Sequence, residues 1–411
     1  MRCRHCGHEV RLPFLDLGAA PPSNAYLDEA GLRAPETWFP LRLLACEHCW
    51  LVQTEDHAGR EALFTPDYAY FSSFSVSWLA HARSFVQAAA ARFGLDARST
   101  VAEVAANDGY LLQYVQAAGI ACYGIEPTAA TAAAARARGI ETIERFFGVE
   151  LATELGAQGR QADLLVANNV LAHVPDINDF VAGFALLLKP GGVASFEFPH
   201  LLRMVRENQF DTAYHEHYSY LSLGVAERVF AANGLFVFDV EELPTHGGSL
   251  RVFARRADAP DGAPPRCGRV DAVLARESAA GMATAAFYGG FQARAEKVKD
   301  DLLALLIDAR RQGLKVAAYG AAAKGNTLLN FAGVRPDLLP YVVDRNPAKQ
   351  GRYMPGSRIP IMAEAHLAAQ RPDRVLILPW NLREEVMAQL AYVRDWGGRF
   401  VTAVPQLEVT P

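Results

Sequence analysis

The chain of 411 residues, 51% apolar and 21% charged, has an ordinary globular composition, and at roughly 100–200 residues per domain it has room for about three domains. Its formal net charge of -5 supplies no basic field for a phosphate backbone, which excludes nucleic acid as the expected partner. The opening residues MRCRHCGHEV lack the apolar core of a signal peptide, and the most apolar later stretch, 180–188, is cut by Lys189 and Pro190; a soluble cytoplasmic protein with no membrane partner is expected.

Four of the six cysteines fall in two pairs, Cys3-x-x-Cys6 and Cys46-x-x-Cys49, within a first segment of little helical periodicity that runs to about residue 70. Each pair has knuckle spacing, and four thiolates satisfy one tetrahedral Zn²⁺; such clustering suits metal binding in a reducing compartment better than a disulfide framework. A closed four-thiolate site has no open position for substrate, so zinc is expected to hold the fold. Unligated core cysteines would leave the paired spacing unexplained. A nucleic-acid-binding ribbon is disfavoured by Glu47, Glu55 and Asp56 around the second pair.

From Thr100 short apolar runs bounded by turn residues alternate with helical stretches, an α/β pattern. Strands are predicted at 101–105, 121–125, 163–167, 193–198, 235–240 and 250–254, with an Ala-rich helix over 128–137. The first of these strands, in VAEVAANDGYLL, opens through Asn107, Asp108 and Gly109 into a helix, so that a tight turn brings a helix N-terminus to a ligand. Glu126 ends the next strand about twenty positions later, where an acidic side chain accepts ribose hydroxyls. The pocket expected from Glu103, Asn107, Asp108, Gly109 and Glu126 fits either NAD or S-adenosylmethionine (SAM), although the Gly-x-Gly-x-x-Gly spacing of dinucleotide enzymes is absent. Asn168, Asn169 and His173 follow the 163–167 strand and should border the same pocket, because α/β ligands sit at carboxyl ends of strands.

Tyr214-His215-Glu216-His217-Tyr218-Ser219-Tyr220 concentrates polar, aromatic and titratable groups that a purely structural loop would have to satisfy at considerable cost. His215-x-His217 also allows a catalytic metal, though no acidic cluster obviously completes one. His246-Gly-Gly-Ser249-Leu-Arg251 lies between two predicted strands and reads as a hairpin turn. The Pro- and Gly-rich stretch 258–265 predicts a boundary near 259, followed by an amphipathic helix over 287–312. Alternation then restarts with strands at 315–319, 341–343, 374–378 and 400–404, a second and smaller Rossmann-like unit. Its turn offers Gly320, Lys324, Gly325, Asn326 and Thr327 to a diphosphate, without the order of a Walker A loop, and Asp344-Arg345-Asn346-Pro347 follows the next strand.

The cysteine pairs, 67–73 (DYAYFSS), 103–112, 169–175, 197–222, 246–251 and 319–330 together resemble the sugar-nucleotide C-methyltransferases that act on NDP-4-keto-deoxysugars, and the resemblance spans essentially the whole chain. It implies an α/β fold made of a class I methyltransferase (Rossmann-like) core, a small N-terminal zinc-binding module and a second Rossmann-like C-terminal domain, at 71–258, 1–70 and 259–411. It further implies SAM in the middle domain, with Asn168 and Asn169 added to the cofactor pocket, and a nucleotide-sugar held partly by His246, Ser249, Arg251, Lys324, Asn326 and Thr327. C-methylation beside a ketone requires a base for the α-proton, a donor to the enolate oxygen and an aligned electrophile. By resemblance His217 is the base, Glu216 and Tyr214 shape its pocket, and His173, Tyr68 and Tyr70 are further active-site candidates. An NAD(P)-dependent sugar oxidoreductase using the Gly320 turn, or a non-catalytic zinc-stabilised scaffold, are the competing readings.

Overall fold

The computed structural model describes the chain except residues 58, 60–70 and 260–264. Tyr68, Tyr70 and most of the 258–265 turn therefore lie outside the described residues.

The central sheet has seven strands in the order Leu235–Leu243, Ser249–Arg256, Leu188–Pro199, Ala162–Asn168, Thr100–Val104, Ala121–Ile125 and Thr142–Ile143. The last five pair in parallel and the first two antiparallel. Counting along the chain from Thr100, its parallel part runs third, second, first, fourth, fifth, the doubly wound order, and the direction of winding reverses between Thr100–Val104 and Ala162–Asn168. Helices of 9 to 11 residues, Ala129–Ala137, Val149–Ala157 and Ile177–Leu187, lie between the strands. Asp176 caps the last of them by accepting the N–H groups of Asn178 and Asp179. This apolar helix is the 180–188 stretch; among the described residues no helix is long and apolar enough to cross a membrane.

The C-terminal sheet repeats the scheme: Ile361–Met362, Val342–Val343, Val316–Tyr319, Arg374–Ile377 and Arg399–Thr402 are parallel, and Glu408–Thr410 adds an antiparallel edge. The N-terminal sheet is antiparallel, in the order Leu12–Ala20, Phe39–Ala45, Val52–Thr54 and Ser219–Tyr220. Its fourth strand is thus borrowed from the Tyr214–Tyr220 segment.

Two further differences from the sequence pattern are instructive. The helix expected over 287–312 is interrupted at Gly289 and Gly290, giving Ala285–Tyr288 and Phe291–Arg311. Gly268–Ala279 lies beyond the expected boundary, yet Val270 and Val273 join the core of the seven-stranded sheet. On the same helix Glu277 accepts the N–H groups of Leu223 and Gly224 and bonds His200 Nε2 at 2.7 Å. Phe291 instead stacks on Phe14 of the N-terminal sheet, centroids 4.8 Å apart, so one apolar cluster fuses the N- and C-terminal units.

Candidate active site and metal centre

The two knuckles bring Cys3, Cys6, Cys46 and Cys49 together with all four Sγ atoms within 4.8 Å of one another. Cys3 Sγ lies 3.5 Å from Cys49 Sγ and Cys6 Sγ 3.6 Å from Cys46 Sγ. Tetrahedral Zn²⁺ at a Zn–S distance of about 2.3 Å separates its sulfurs by about 3.8 Å, so the cluster fits the ion. Cys3, Cys46 and Cys49 are buried and Cys6 is half-buried. The close contact with Cys49 holds the Cys3 thiol well below the ordinary thiol value, the direction that favours a thiolate ligand.

A cavity of about 940 Å³ opens at the carboxyl ends of both parallel sheets. Its first end is the turn after Thr100–Val104. Ala105 and Asn107 stand there at φ 56° and 50°, and Gly109 at 76°. Two non-glycine residues at positive φ mark a loop held against its preference. At Gly109 a Cβ would also collide with Ile140. Glu126 fixes the loop, since its carboxylate accepts the Asn107 N–H and the Thr128 N–H, each at 2.9 Å. Burial raises the Glu126 carboxyl, and raises that of Glu103, on the strand beneath, far more. Asn168 Oδ1 and the Asn169 amide, both on the cavity wall, are buried without hydrogen-bond partners. Such orphaned polar atoms are rare unless a ligand or water completes them, and they fit the hydroxyl- and amine-bearing SAM. Asn107, Glu126, Asn168 and Asn169 line the cavity.

In the middle of the cavity stand His173, Tyr214, Glu216 and His217. His173 meets the His217 ring edge-on at 4.5 Å, and Tyr214 lies over His217 at 3.9 Å. This cluster is positioned from two directions: the Tyr218 N–H donates to Ala172 O at 2.7 Å, and the Thr54 hydroxyl donates to His217 O at 3.2 Å. Asn24 Nδ2 donates to both Glu216 oxygens, at 2.7 and 2.9 Å. His217 Nδ1 lies 2.8 Å from Thr212 O. A carbonyl can only accept, so Nδ1 carries the proton and Nε2 keeps its lone pair. Burial, then the neighbouring His173, hold His217 well below the ordinary imidazole value, and burial lowers His173 to about 4. His215 is directed elsewhere, its Nε2 reaching Phe39 O and Pro40 O at 3.3 and 3.2 Å.

The neutral state of His217 has a measurable consequence. Its folded pKa lies below the unfolded value of about 6.5, so only the unfolded chain takes up its proton as pH falls through that range, and the stability this residue contributes at pH 7.5 is lost below 6.5. The difference in unfolding free energy between wild type and His217→Asn should therefore shift against the wild type by up to about 2 kcal/mol between pH 7.5 and pH 5. Denaturant melts of both proteins at the two pH values test this; an unchanged difference would mean an ordinary histidine.

The far end of the cavity belongs to the C-terminal unit. Gly320, at φ 89°, turns so tightly that a Cβ would sit 2.6 Å from Pro379. Asp344 accepts the Ala321 N–H at 2.7 Å and the Asn346 N–H at 2.8 Å, repeating the role of Glu126. Lys324 lies on the wall with Nζ 3.1 Å from Asn381 Oδ1 and 4.4 Å from the centre of the Trp380 ring. Burial lowers Lys324 to about 8 and raises nearby Asp211 to about 6; Asp211 Oδ2 accepts the Trp380 indole N–H at 2.7 Å. His246 lines the cavity beside Trp78, ring centroids 5.1 Å apart.

Of the remaining sequence candidates, Glu103, Asp108, Gly109, Ser249, Arg251, Asn326 and Thr327 are not on the cavity wall. For the last four, expected on the substrate, the structure shows other occupations. Ser249 Oγ donates to Thr245 O, Asn326 Nδ2 to Ser23 O and Thr327 Oγ1 to Ala213 O. Arg251 donates to Glu197 Oε2 at 2.7 Å. His81, on the wall and absent from the sequence candidates, has Nε2 2.8 Å from the same Glu197 oxygen. Burial pushes the Glu197 carboxyl up, but His81 and Arg251 hold it below the ordinary value. A glutamate flanked by two phenylalanines, Phe196-Glu197-Phe198, was the available signal; His81 in the Ala-rich helix Val76–Phe93 had none.

Family models match the chain in order: a zinc binding domain over 3–64, a methyltransferase domain over 78–240 and a C-methyltransferase C-terminal domain over 244–405. The C-methyltransferase NovU of Streptomyces niveus is 35% identical over 407 residues, 99% of this chain and 96% of the relative. A ubiquinone biosynthesis O-methyltransferase of Chelativorans sp. (strain BNC1) is 29% identical over 112 residues, 25% of this chain and 44% of the relative. The solved magnesium protoporphyrin IX methyltransferase (ChlM) of Synechocystis PCC 6803 with bound SAH aligns at 16% identity and TM-score 0.36, covering 44% of this chain and 84% of that one. The full-length match to NovU and the three consecutive domain models establish that the chain belongs to the C-methyltransferase family, as a zinc-binding, SAM-dependent class I enzyme.

Proposed function

We propose that this enzyme methylates the carbon beside the ketone of an NDP-4-keto-deoxysugar, C-3 in preference to C-5, through a base-generated enolate. The observation that carries the reading is the single cavity joining the turn at Asn107 to the turn at Gly320, with His217 between them. Ligand sites span roughly 300–1,000 Å³, and a cavity near the top of that range suits a cofactor and a long substrate meeting end to end.

Glu103, Asn107, Asp108, Gly109, Glu126, Asn168 and Asn169 form the cofactor end, Asn107, Glu126, Asn168 and Asn169 by contact and the others by shaping the turn. SAM bound there supplies an electrophilic methyl group. His217, neutral and with Nδ1 tied to Thr212 O, removes the α-proton through Nε2. Tyr214 and His173 offer donors to the developing enolate oxygen, where charge stabilisation counts most. Glu216, held by Asn24, shapes the sugar site, and Tyr68 and Tyr70 remain candidates from the resemblance alone. Lys324 and His246 face the nucleotide-sugar directly, and Ser249, Arg251, Asn326 and Thr327 support those walls from behind. The proposed division is a zinc-binding unit at 1–70, a SAM-binding unit at 71–258 and a nucleotide-sugar unit at 259–411.

The test is incubation with methyl-labelled SAM and a panel of NDP-4-keto-6-deoxysugars, with NMR to locate the transferred methyl. A new C–CH₃ beside the ketone is expected. Transfer to oxygen or nitrogen, or to no member of the panel, would overturn the substrate reading while leaving family membership intact.

A further inference from the structure

The Cys3–Cys6–Cys46–Cys49 centre has a second donor set on its outer side. His8 follows the first knuckle and His48 lies inside the second. Their rings are parallel to within 1°, with centroids 4.0 Å apart. One nitrogen of each and Cys6 Sγ all lie within 4.8 Å of one another. Cys6 thus belongs to two donor groups, one buried with three thiolates and one exposed with two imidazoles. Both histidines are exposed and Cys6 is the least buried of the four thiols, so the stacked rings are free to turn out of parallel and aim their nitrogens at an ion beside Cys6 Sγ.

Electrostatics favour the same place. Four thiolates around one Zn²⁺ leave the buried centre about two charges negative. A thiolate carrying part of that excess retains lone pairs, and the half-buried Cys6 is where they are most open to solvent. Imidazole and thiolate donors select borderline and soft divalent ions such as Zn²⁺, Co²⁺ and Ni²⁺ over Mg²⁺ and Ca²⁺.

We infer that His8, His48 and Cys6 form a second, exchangeable transition-metal site, with the Cys6 thiolate bridging it to the buried zinc. Water completes its shell, and with only three protein donors it binds less tightly than the four-thiolate site.

The test uses the full-length, zinc-loaded protein and Co²⁺ as the probe, with metal analysis after dialysis and absorption spectroscopy. One Co²⁺ per chain should bind while the original zinc stays at one per chain, and a thiolate-to-cobalt charge-transfer band should report the Cys6 bond. His8→Ala with His48→Ala, at two exposed positions, should keep the zinc and the circular dichroism spectrum but lose the cobalt and the band. A wild-type protein that takes no cobalt beyond its zinc, cobalt uptake that survives in the double variant, or uptake without the charge-transfer band would each overturn the inference.

Discussion

Cys46→Ser should release the zinc and destabilise the protein by several kcal/mol, and it should abolish methyl transfer although Cys46 touches no part of the cavity. Structural zinc contributes on the order of 10 kcal/mol to small metal-held modules, and Cys46 is fully buried at the end of Phe39–Ala45. Removing one thiolate leaves three donors, which no longer close a tetrahedron. The damage then travels along hydrogen bonds. Phe39–Ala45 pairs with Val52–Thr54, which pairs with Ser219–Tyr220, and Thr54 holds the carbonyl of His217. Loosening the zinc module therefore releases the loop that carries His217, the proposed base. Metal analysis, thermal melts and turnover check this together, and a chelator should reproduce the effect in the wild type. A variant that kept its zinc and its melting temperature would contradict the four-thiolate centre. One that lost zinc yet kept full activity would break the link between the zinc module and the loop.

His217→Asn should bind SAH and nucleotide-sugar as the wild type does but lose roughly 10²–10⁴-fold in turnover, the usual range for a positioned acid or base. Asparagine keeps an amide donor for Thr212 O, so the loop should retain its shape while the acceptor nitrogen disappears. Solvent-deuterium exchange at the α-carbon, measured with SAH in place of SAM, isolates proton abstraction from methyl transfer and should fall in parallel. The depressed pKa of His217 keeps the base form populated well below pH 6.5, so an acidic limb of the rate profile near 6.5 should not arise from it. Near-wild-type exchange in the variant would move the base role to His173 or Tyr214, which share its surroundings.

What the sequence by itself determined are the features written within a few residues. CxxC spacing encodes a knuckle, so all four zinc ligands were legible before any fold was known. A strand, a turn at Gly109 and an acid about twenty residues on encode a nucleoside pocket, and ten predicted strands, from 101–105 to 400–404, correspond to strands of the seven-stranded and C-terminal sheets. The choice between SAM and NAD was not encoded there, because both cofactors use the same turn; the match to the C-methyltransferases decided it. Tertiary structure alone decided which side chains face the cavity. Asn326 and Thr327 look like phosphate ligands in sequence but sit on the buried face of Ala323–Phe331, whereas Lys324 on the same helix reaches the wall. Arg251 is consumed by Glu197, and His81 enters the site from a helix with no local signal. Only the fold reveals that Ser219–Tyr220 completes the zinc module's sheet and that Gly268–Ala279 packs into the methyltransferase core. The physical reason is one of range: ligand spacing and turn geometry are set by covalent neighbours, while the face a residue presents is set by burial against elements hundreds of residues away.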